Sequence, residues 1–258
     1  MTTWVLDLDG VMWLGDRPLP GSDTAVAQLR DAGHRVVFCT NNSSERVGFY
    51  EEKLARFGAD AADAVISSAQ AAASLVEPGE RVLVCAGAGV VEAMESVEAV
   101  ITMASSPEAA ALAAGSDIDA VVVGFHNSFD YAAMSVAVRS VLGGARLIAT
   151  NDDPIYPAAD GPAPGCGSIL ASIERGSGVT AIVAGKPNRP MADLIRARFG
   201  PDGVFVGDSL ATDGAMAAEL GWPFGLVLSG NIGAGGVPDD LDPGWVAADL
   251  AALVAQRL

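Results

Sequence analysis

The sequence is short of groups that whole classes of function require. Only three of its 258 residues are cysteine, Cys39, Cys85 and Cys166. They are odd in number and far apart, and no CxxC metal spacing occurs, so they read as buried free thiols in a reducing compartment. Histidine is scarcer still, at His34 and His126. Positive charge is also thin: 15 Lys and Arg stand against 32 Asp and Glu, a formal net charge of -17. Such a surface repels phosphate backbones and anionic lipid, which argues against nucleic-acid and membrane partners. No basic segment followed by an apolar one opens the chain, and no apolar run approaches the ~20 residues of a membrane helix. The reading is a cytoplasmic protein. No repeat of solenoid period is present.

What the chain does have is apolar bulk, 50% of its residues, enough for a sizeable core. Its length suits one large domain or a domain with an insertion. Segments alternate. Trp4 to Leu8 is β-like, and Asp23 to Ala32 is helix-like and stopped by Gly33. Arg35 to Thr40 is a run of β-formers, and Glu45 to Phe57 has helical spacing. Strand, helix, strand, helix implies right-handed crossovers and a parallel, doubly wound sheet. A turn cluster at Glu77-Pro78-Gly79-Glu80 breaks the rhythm. A second alternating series follows, through strand-like Val82–Cys85, Ala120–Val123 and Leu147–Thr150, to a Pro-, Asp- and Gly-rich loop from Asn151 to Gly167. Strand-like Thr180–Ala184, helix-like Arg189–Phe199, strand Val204–Gly207 and helix Thr212–Leu220 then return to the first pattern. The expectation is an α/β, Rossmann-like core, residues 1–78 and 181–258, with a smaller α/β domain inserted at 79–180.

Four strand ends carry polar residues. WVLDLDGVMW sets Asp7 and Asp9 in an apolar run. On a strand they share a face, at the carboxyl end where open α/β sheets bind ligands. Two adjacent carboxylates repel unless a cation such as Mg²⁺ lies beside them. A solvated Asp pair before a Gly turn accounts for the pattern equally well. After Arg35–Cys39 comes Thr40-Asn41-Asn42-Ser43-Ser44, which can present donors to an anion or simply cap a helix. Gly185-Lys186-Pro187 follows Thr180–Ala184 and offers a rare cation. Val206-Gly207-Asp208-Ser209-Leu210-Ala211-Thr212-Asp213 ends another strand in a carboxylate, with Asp213 in the first helical turn, where negative charge is favoured in any case.

Together these segments resemble the haloacid-dehalogenase superfamily of phosphatases: DLDGV its first motif, TNN its second, GKP its third and GDSLATD its fourth. The inserted block is similar to the large α/β cap of the NagD-type, p-nitrophenylphosphatase-like branch, through VVVGFHNSFDYAAM and ATNDDPIYPAADGPAPGCGSI. The resemblance implies a Mg²⁺-dependent phosphomonoesterase. Asp7 would be the nucleophile that forms an aspartyl phosphate, and Asp9 the acid and base for the leaving alcohol and the water. Asp7, the backbone carbonyl of Asp9, and Asp208 would hold Mg²⁺, with Asp213 orienting a bound water. Thr40, Asn41, Asn42 and Lys186 would bind the phosphoryl group. The partner would be a small phosphorylated metabolite, phosphoglycolate or glycerol phosphate first, with pyridoxal phosphate, sugar phosphates and nucleotides open. A homodimer through the cap is expected, with specificity set by the loop Asp152–Gly167.

Rival readings remain. GDSL at Gly207–Leu210 also names a serine-esterase class, but Ser209 would need a histidine base and no histidine follows it. GAGVVE at Gly87–Glu92 resembles a dinucleotide loop with Glu92 in the third glycine's place; a tight strand-to-helix turn explains it as well. His34 reads as a surface residue and His126 as structural. A phosphate-binding module that has kept the fold without activity is the third class.

Overall fold

Strand formers flanked by Gly, Asn and Pro set the rhythm of this fold. In the computed structural model, which describes residues 1–112, 117–158, 161–230 and 245–258, the chain starts with β1 (Thr3–Leu6), a small hairpin of β2 (Trp13–Leu14) and β3 (Arg17–Pro18), and α1 (Ser22–Asp31). β4 (Arg35–Thr40), α2 (Val47–Arg56), β5 (Val65–Ser67) and α3 (Ser68–Ala73) follow. Next come β6 (Arg81–Cys85), α4 (Ala88–Ser96), β7 (Val100–Met103), α5 (Pro107–Leu112), β8 (Ala120–Val123), α6 (Tyr131–Leu142) and β9 (Arg146–Ala149). A hairpin of β10 (Ile155–Ala158) and β11 (Gly161–Pro164) leads to α7 (Cys166–Ser177) and β12 (Ile182–Val183). The last stretch holds α8 (Arg189–Phe199), β13 (Gly203–Gly207), a π-helical turn at Leu210–Gly214, α9 (Ala215–Leu220), β14 (Phe224–Val227), β15 (Val246–Ala247) and α10 (Leu250–Arg257).

The chain packs as two units, one of Met1–Thr40, Val47–Ile66 and Lys186–Leu258, the other of Asn41–Arg46 and Ser67–Gly185. The first holds a sheet in the order β15-β14-β13-β1-β4-β5. β1 lies at its centre, parallel to both neighbours, with Leu6 level with Phe38 on one side and Val206 on the other. The chain leaves β1 toward β4 and returns on its other side at β13. The carboxyl end of β1 is therefore a topological switch point, the place where such sheets leave a crevice. Val5 and Leu6 of β1 are fully buried, as expected of a strand covered on both faces. Leu6, Leu8, Leu29, Phe38, Leu54 and Leu253 are among the residues that form this unit's core, each worth roughly 1.5–3 kcal/mol of burial.

The second unit holds a parallel sheet in the order β12-β9-β8-β6-β7. Its core joins Leu83, Val121, Val123, Leu147, Leu170 and Ile173.

Several expectations shift. The first strand stops at Leu6, not Leu8, because the chain turns there: Met12 N–H donates to Leu8 O at 2.8 Å and Gly10 N–H to Trp13 O at 2.7 Å. The segment expected to return to the first sheet, Thr180–Ala184, contributes Ile182–Val183 to the second sheet beside β9. The loop Asn151–Gly167 contains the β10–β11 hairpin and the first residues of α7, with 159–160 outside the described residues. The helix expected at Thr212–Leu220 is a π-helical turn running into α9.

Candidate active site

β1 delivers Asp7. Its N–H continues the ladder onto Val206 O at 2.9 Å, so the backbone is fixed where the side chain leaves the strand. The carboxylate is nearly buried, and its Oδ1 lies 2.8 Å from Lys186 Nζ. That lysine is itself only 2% exposed. It also donates to Asp213 Oδ1 at 2.7 Å and to Cys39 O at 3.3 Å. One ammonium thus bridges two carboxylates that come from the end of β1 and from the π-helical turn. Asp213 Oδ2 in turn accepts from the backbone N–H of Ser209 at 3.2 Å.

Asp208, from the end of β13, completes the group. Single carboxylate oxygens of Asp7, Asp208 and Asp213 all lie within 4.8 Å of one another. The Asp208 carboxylate is seated between two glycines. A Cβ at Gly10 would fall 2.3 Å from Asp208 Oδ2, and one at Gly230 would fall 2.0 Å from it. Gly10 also sits at φ +82°, a conformation that suits glycine. Ser229 Oγ donates to Gly10 O at 2.6 Å and pins the two glycine segments together.

Three carboxylates and one lysine leave net negative charge in a buried place. Burial, with Asp213 and Asp208 close by, pushes the Asp7 carboxyl well above the usual carboxylate range, and Lys186 only partly offsets this. Burial would by itself strip the proton from Lys186, but Asp213 and Asp7 outweigh it and hold the ammonium. A divalent cation among the carboxylates would remove the excess charge and return Asp7 to its ionised form. Hard oxygen donors in a glycine-walled cradle suit Mg²⁺.

Asp9 is not one of the three grouped carboxylates. It is exposed, and its Oδ1 accepts from Trp13 Nε1–H at 3.0 Å. Strand alternation does not place it, because the strand has ended. Loss of hydration beside the neighbouring protein raises its pKa, and Lys53, the indole N–H and Lys186 act the other way.

Thr40 is buried at the end of β4. Asn41 and Asn42 belong to the second unit. Asn41 Nδ2 donates to Asp153 Oδ2 at 3.2 Å, and Asn41 O accepts from Asn151 Nδ2 at 2.8 Å and Ser68 Oγ at 2.5 Å. Asn42 Oδ1 accepts from Ser44 N–H at 3.1 Å and from its hydroxyl at 2.7 Å. Asn151 and Asp153 lie in the loop marked in the sequence, whereas Ser68 had no sequence mark, and the pairing of these residues with Asn41 leaves no pattern along the chain.

The rival motifs have local explanations. Ser209 Oγ accepts from Thr212 N–H at 3.3 Å, as a helix cap does. His34 precedes the amino end of β4 and accepts from Thr2 N–H at 3.4 Å, whereas Ser209 follows the carboxyl end of β13. His126 Nδ1 lies 3.0 Å from Gly124 O, and its ring stands edge-on to Phe129. In GAGVVE a Cβ at Gly87 or Gly89 would strike Ser44 O or Glu45 O, at 2.6 and 2.2 Å, so backbone packing demands those glycines.

Known proteins resemble this chain in sequence and in fold. A profile for haloacid dehalogenase-like hydrolases matches residues 4–99, and an HAD-hydrolase-like profile matches residues 183–253. A glycerol-3-phosphate phosphatase from Gallus gallus is 33% identical over 249 residues, covering 88% of this chain and 80% of that protein. The chain belongs to the haloacid dehalogenase-like hydrolases. Among solved members, a 4-nitrophenylphosphatase from Thermotoga maritima superposes with a TM-score of 0.85 at 31% identity, covering 99% of this chain and 97% of the other. A glycerol phosphate phosphatase from Mycobacterium tuberculosis, solved in complex with magnesium, gives a TM-score of 0.85 at 29% identity, covering 98% and 76%. The two profile matches flank the middle of the chain, where most of the second unit lies.

Proposed function

We propose that this haloacid dehalogenase-like hydrolase is a Mg²⁺-dependent phosphomonoesterase of small metabolites, acting through an aspartyl phosphate on Asp7. The observation that carries the reading is the buried Asp7 carboxylate at the switch point, ion-paired to Lys186 and grouped with Asp208 and Asp213. In the first step an Asp7 oxygen bonds to phosphorus while the bond to the leaving oxygen breaks, and Asp9 gives that oxygen its proton. In the second, Asp9 takes a proton from water as the water oxygen attacks phosphorus, and the Asp7–phosphorus bond breaks to release inorganic phosphate. Lys186 offsets the charge of both the nucleophile and the transferring group. Asp213 anchors that lysine, and its place in the cluster also fits it to orient a metal-bound water. Thr40 and the N–H groups around Asn41 and Asn42 are assigned to phosphoryl oxygens. Asp7, the Asp9 carbonyl and Asp208 would hold Mg²⁺, which would supply screening between anionic nucleophile and anionic phosphate.

The inserted block, drawn from residues 79–180, is assigned as a cap that sets specificity, within the core of 1–78 and 181–258. Phosphoglycolate or glycerol phosphate is the first substrate class, on the family likeness to glycerol phosphate phosphatases. Pyridoxal phosphate, sugar phosphates and nucleotides form the alternative class. Exposed Tyr131, Leu142 and Ile155 favour a homodimer through the second unit, which light scattering after gel filtration would check. Three buried free thiols favour the cytoplasm, and no helix among the described residues is long and apolar enough to cross a membrane.

The test is release of inorganic phosphate from a panel of phosphorylated metabolites and p-nitrophenyl phosphate, with Mg²⁺ and with chelator. Metal-dependent release that falls by on the order of 10³ or more in Asp7→Asn is the expected result. A folded protein with no release from any ester would instead favour a phosphate-binding module.

A further inference from the structure

The turn after β1 holds a polar arrangement that none of the four motifs contains. Trp13 is 1% exposed, yet its indole N–H is spent on the exposed Asp9, at 3.0 Å. The backbone is built to make this meeting: the bonds from Met12 N–H to Leu8 O and from Gly10 N–H to Trp13 O fold Asp9 back over Trp13. The ring is then clamped. Lys53 Nζ sits 4.3 Å from the ring centroid, and Phe57 packs edge-on at 6.0 Å. Lys53 is 8% exposed, donates to Gly15 O at 2.8 Å and lies 3.8 Å from Asp16. A buried cation on an aromatic face is both an anchor and a withdrawal of electron density, which makes the N–H a better donor.

The chemistry of the partner matters. Indole nitrogen donates and cannot accept. A hydroxyl or imidazole beside Asp9 could trade protons with it, and an indole cannot. With Oδ1 facing a donor that cannot turn away, a proton on Asp9 belongs on Oδ2. The carboxyl torsion, otherwise broad, is fixed as well.

We propose that Trp13, backed by Lys53, is a positioning residue that confines the exchangeable proton of Asp9 to Oδ2 and aims it at the leaving oxygen. This rests on reading Asp9 as the leaving-group acid. The proton passes from Oδ2 to the ester oxygen as that oxygen parts from phosphorus, and Oδ2 regains one from the attacking water.

Leaving-group dependence isolates the effect. p-Nitrophenolate departs without a proton, whereas the alkoxide of glycerol does not. Trp13→Phe keeps an aromatic ring in the core and deletes the N–H. It should lower kcat/KM for glycerol 3-phosphate by about 10-fold to 100-fold and change that for p-nitrophenyl phosphate by less than about 2-fold, with the melting temperature checked alongside. kcat/KM is the readout because it stops at the first irreversible step and excludes the hydrolysis common to both esters. Lys53→Met keeps the stem, removes the charge and should show the same selectivity more weakly, with Lys53→Arg restoring it. If Trp13→Phe does not fold, Lys53→Met decides alone. Equal losses on both esters, or no loss on either, overturn the proposal while leaving the phosphatase reading intact. A folded wild type that hydrolyses neither ester overturns both.

Discussion

At the scale of single residues, space around Asp208 is the sharpest constraint. Gly230→Ala would place a methyl 2.0 Å from Asp208 Oδ2 and 2.6 Å from Gly10 Cα. The carboxylate must shift, so Mg²⁺ affinity should fall by about 10-fold or more, with phosphorylated substrate still bound; a Mg²⁺ titration of activity measures it. The same scale shows what reading along the chain reaches. The strand-end places of Asp7, Thr40, Lys186 and Asp208 were legible because each closes or follows a run of β-formers and precedes a turn. The ion pair of Lys186 with Asp213 was not, since it joins positions 27 apart that only the folded sheet brings together. Trp13 closes the WVLDLDGVMW run without a mark of its own, and its hydrogen bond depends on a turn that strand alternation does not foresee.

At the scale of elements, most boundaries follow local chemistry. Asp130 caps α6, its Oδ1 accepting from Ala133 N–H at 2.8 Å, and Asp249 caps α10 in the same manner. Asp130 is exposed, so Asp130→Ala should remove little besides the cap and cost about 1 kcal/mol in urea unfolding. The parallel, doubly wound pattern of the first sheet was readable from alternating strand and helix signals. Some of the elements that escaped have a sequence that speaks against them. The β10–β11 hairpin is rich in Pro and Gly, and α7 begins directly after Gly165 and contains Gly167 and Gly176. β12 was readable as a strand but not as a member of the second sheet. A two-residue edge strand has too little pattern to name its neighbour.

At the scale of the whole molecule, the hidden thiols tie stability to pH. Burial pushes Cys39 and Cys85 up to about 12 and Cys166 up to about 11. The unfolded chain would release these protons near 9.0, the ordinary thiol value. Between about 9.0 and 12 the folded state therefore binds more protons than the unfolded state, and stability falls as pH rises. This contribution is whole below pH 9.0 and is lost as pH passes through the folded values. For Cys85 the loss is at most about 4 kcal/mol. Urea melts at stepped alkaline pH should show the decline, and a flat profile would contradict it. The division into two units was legible only in outline: packing turns at Ser67 and Gly185, where unbroken polypeptide offers no punctuation as loud as Glu77-Pro78-Gly79-Glu80.

The concealment of the native thiols has a practical corollary. A maleimide dye applied near neutral pH should leave the folded wild type uncoloured, because no thiolate is presented to it. A cysteine introduced at the exposed Leu258 would then carry the dye alone, without first building a cysteine-free background.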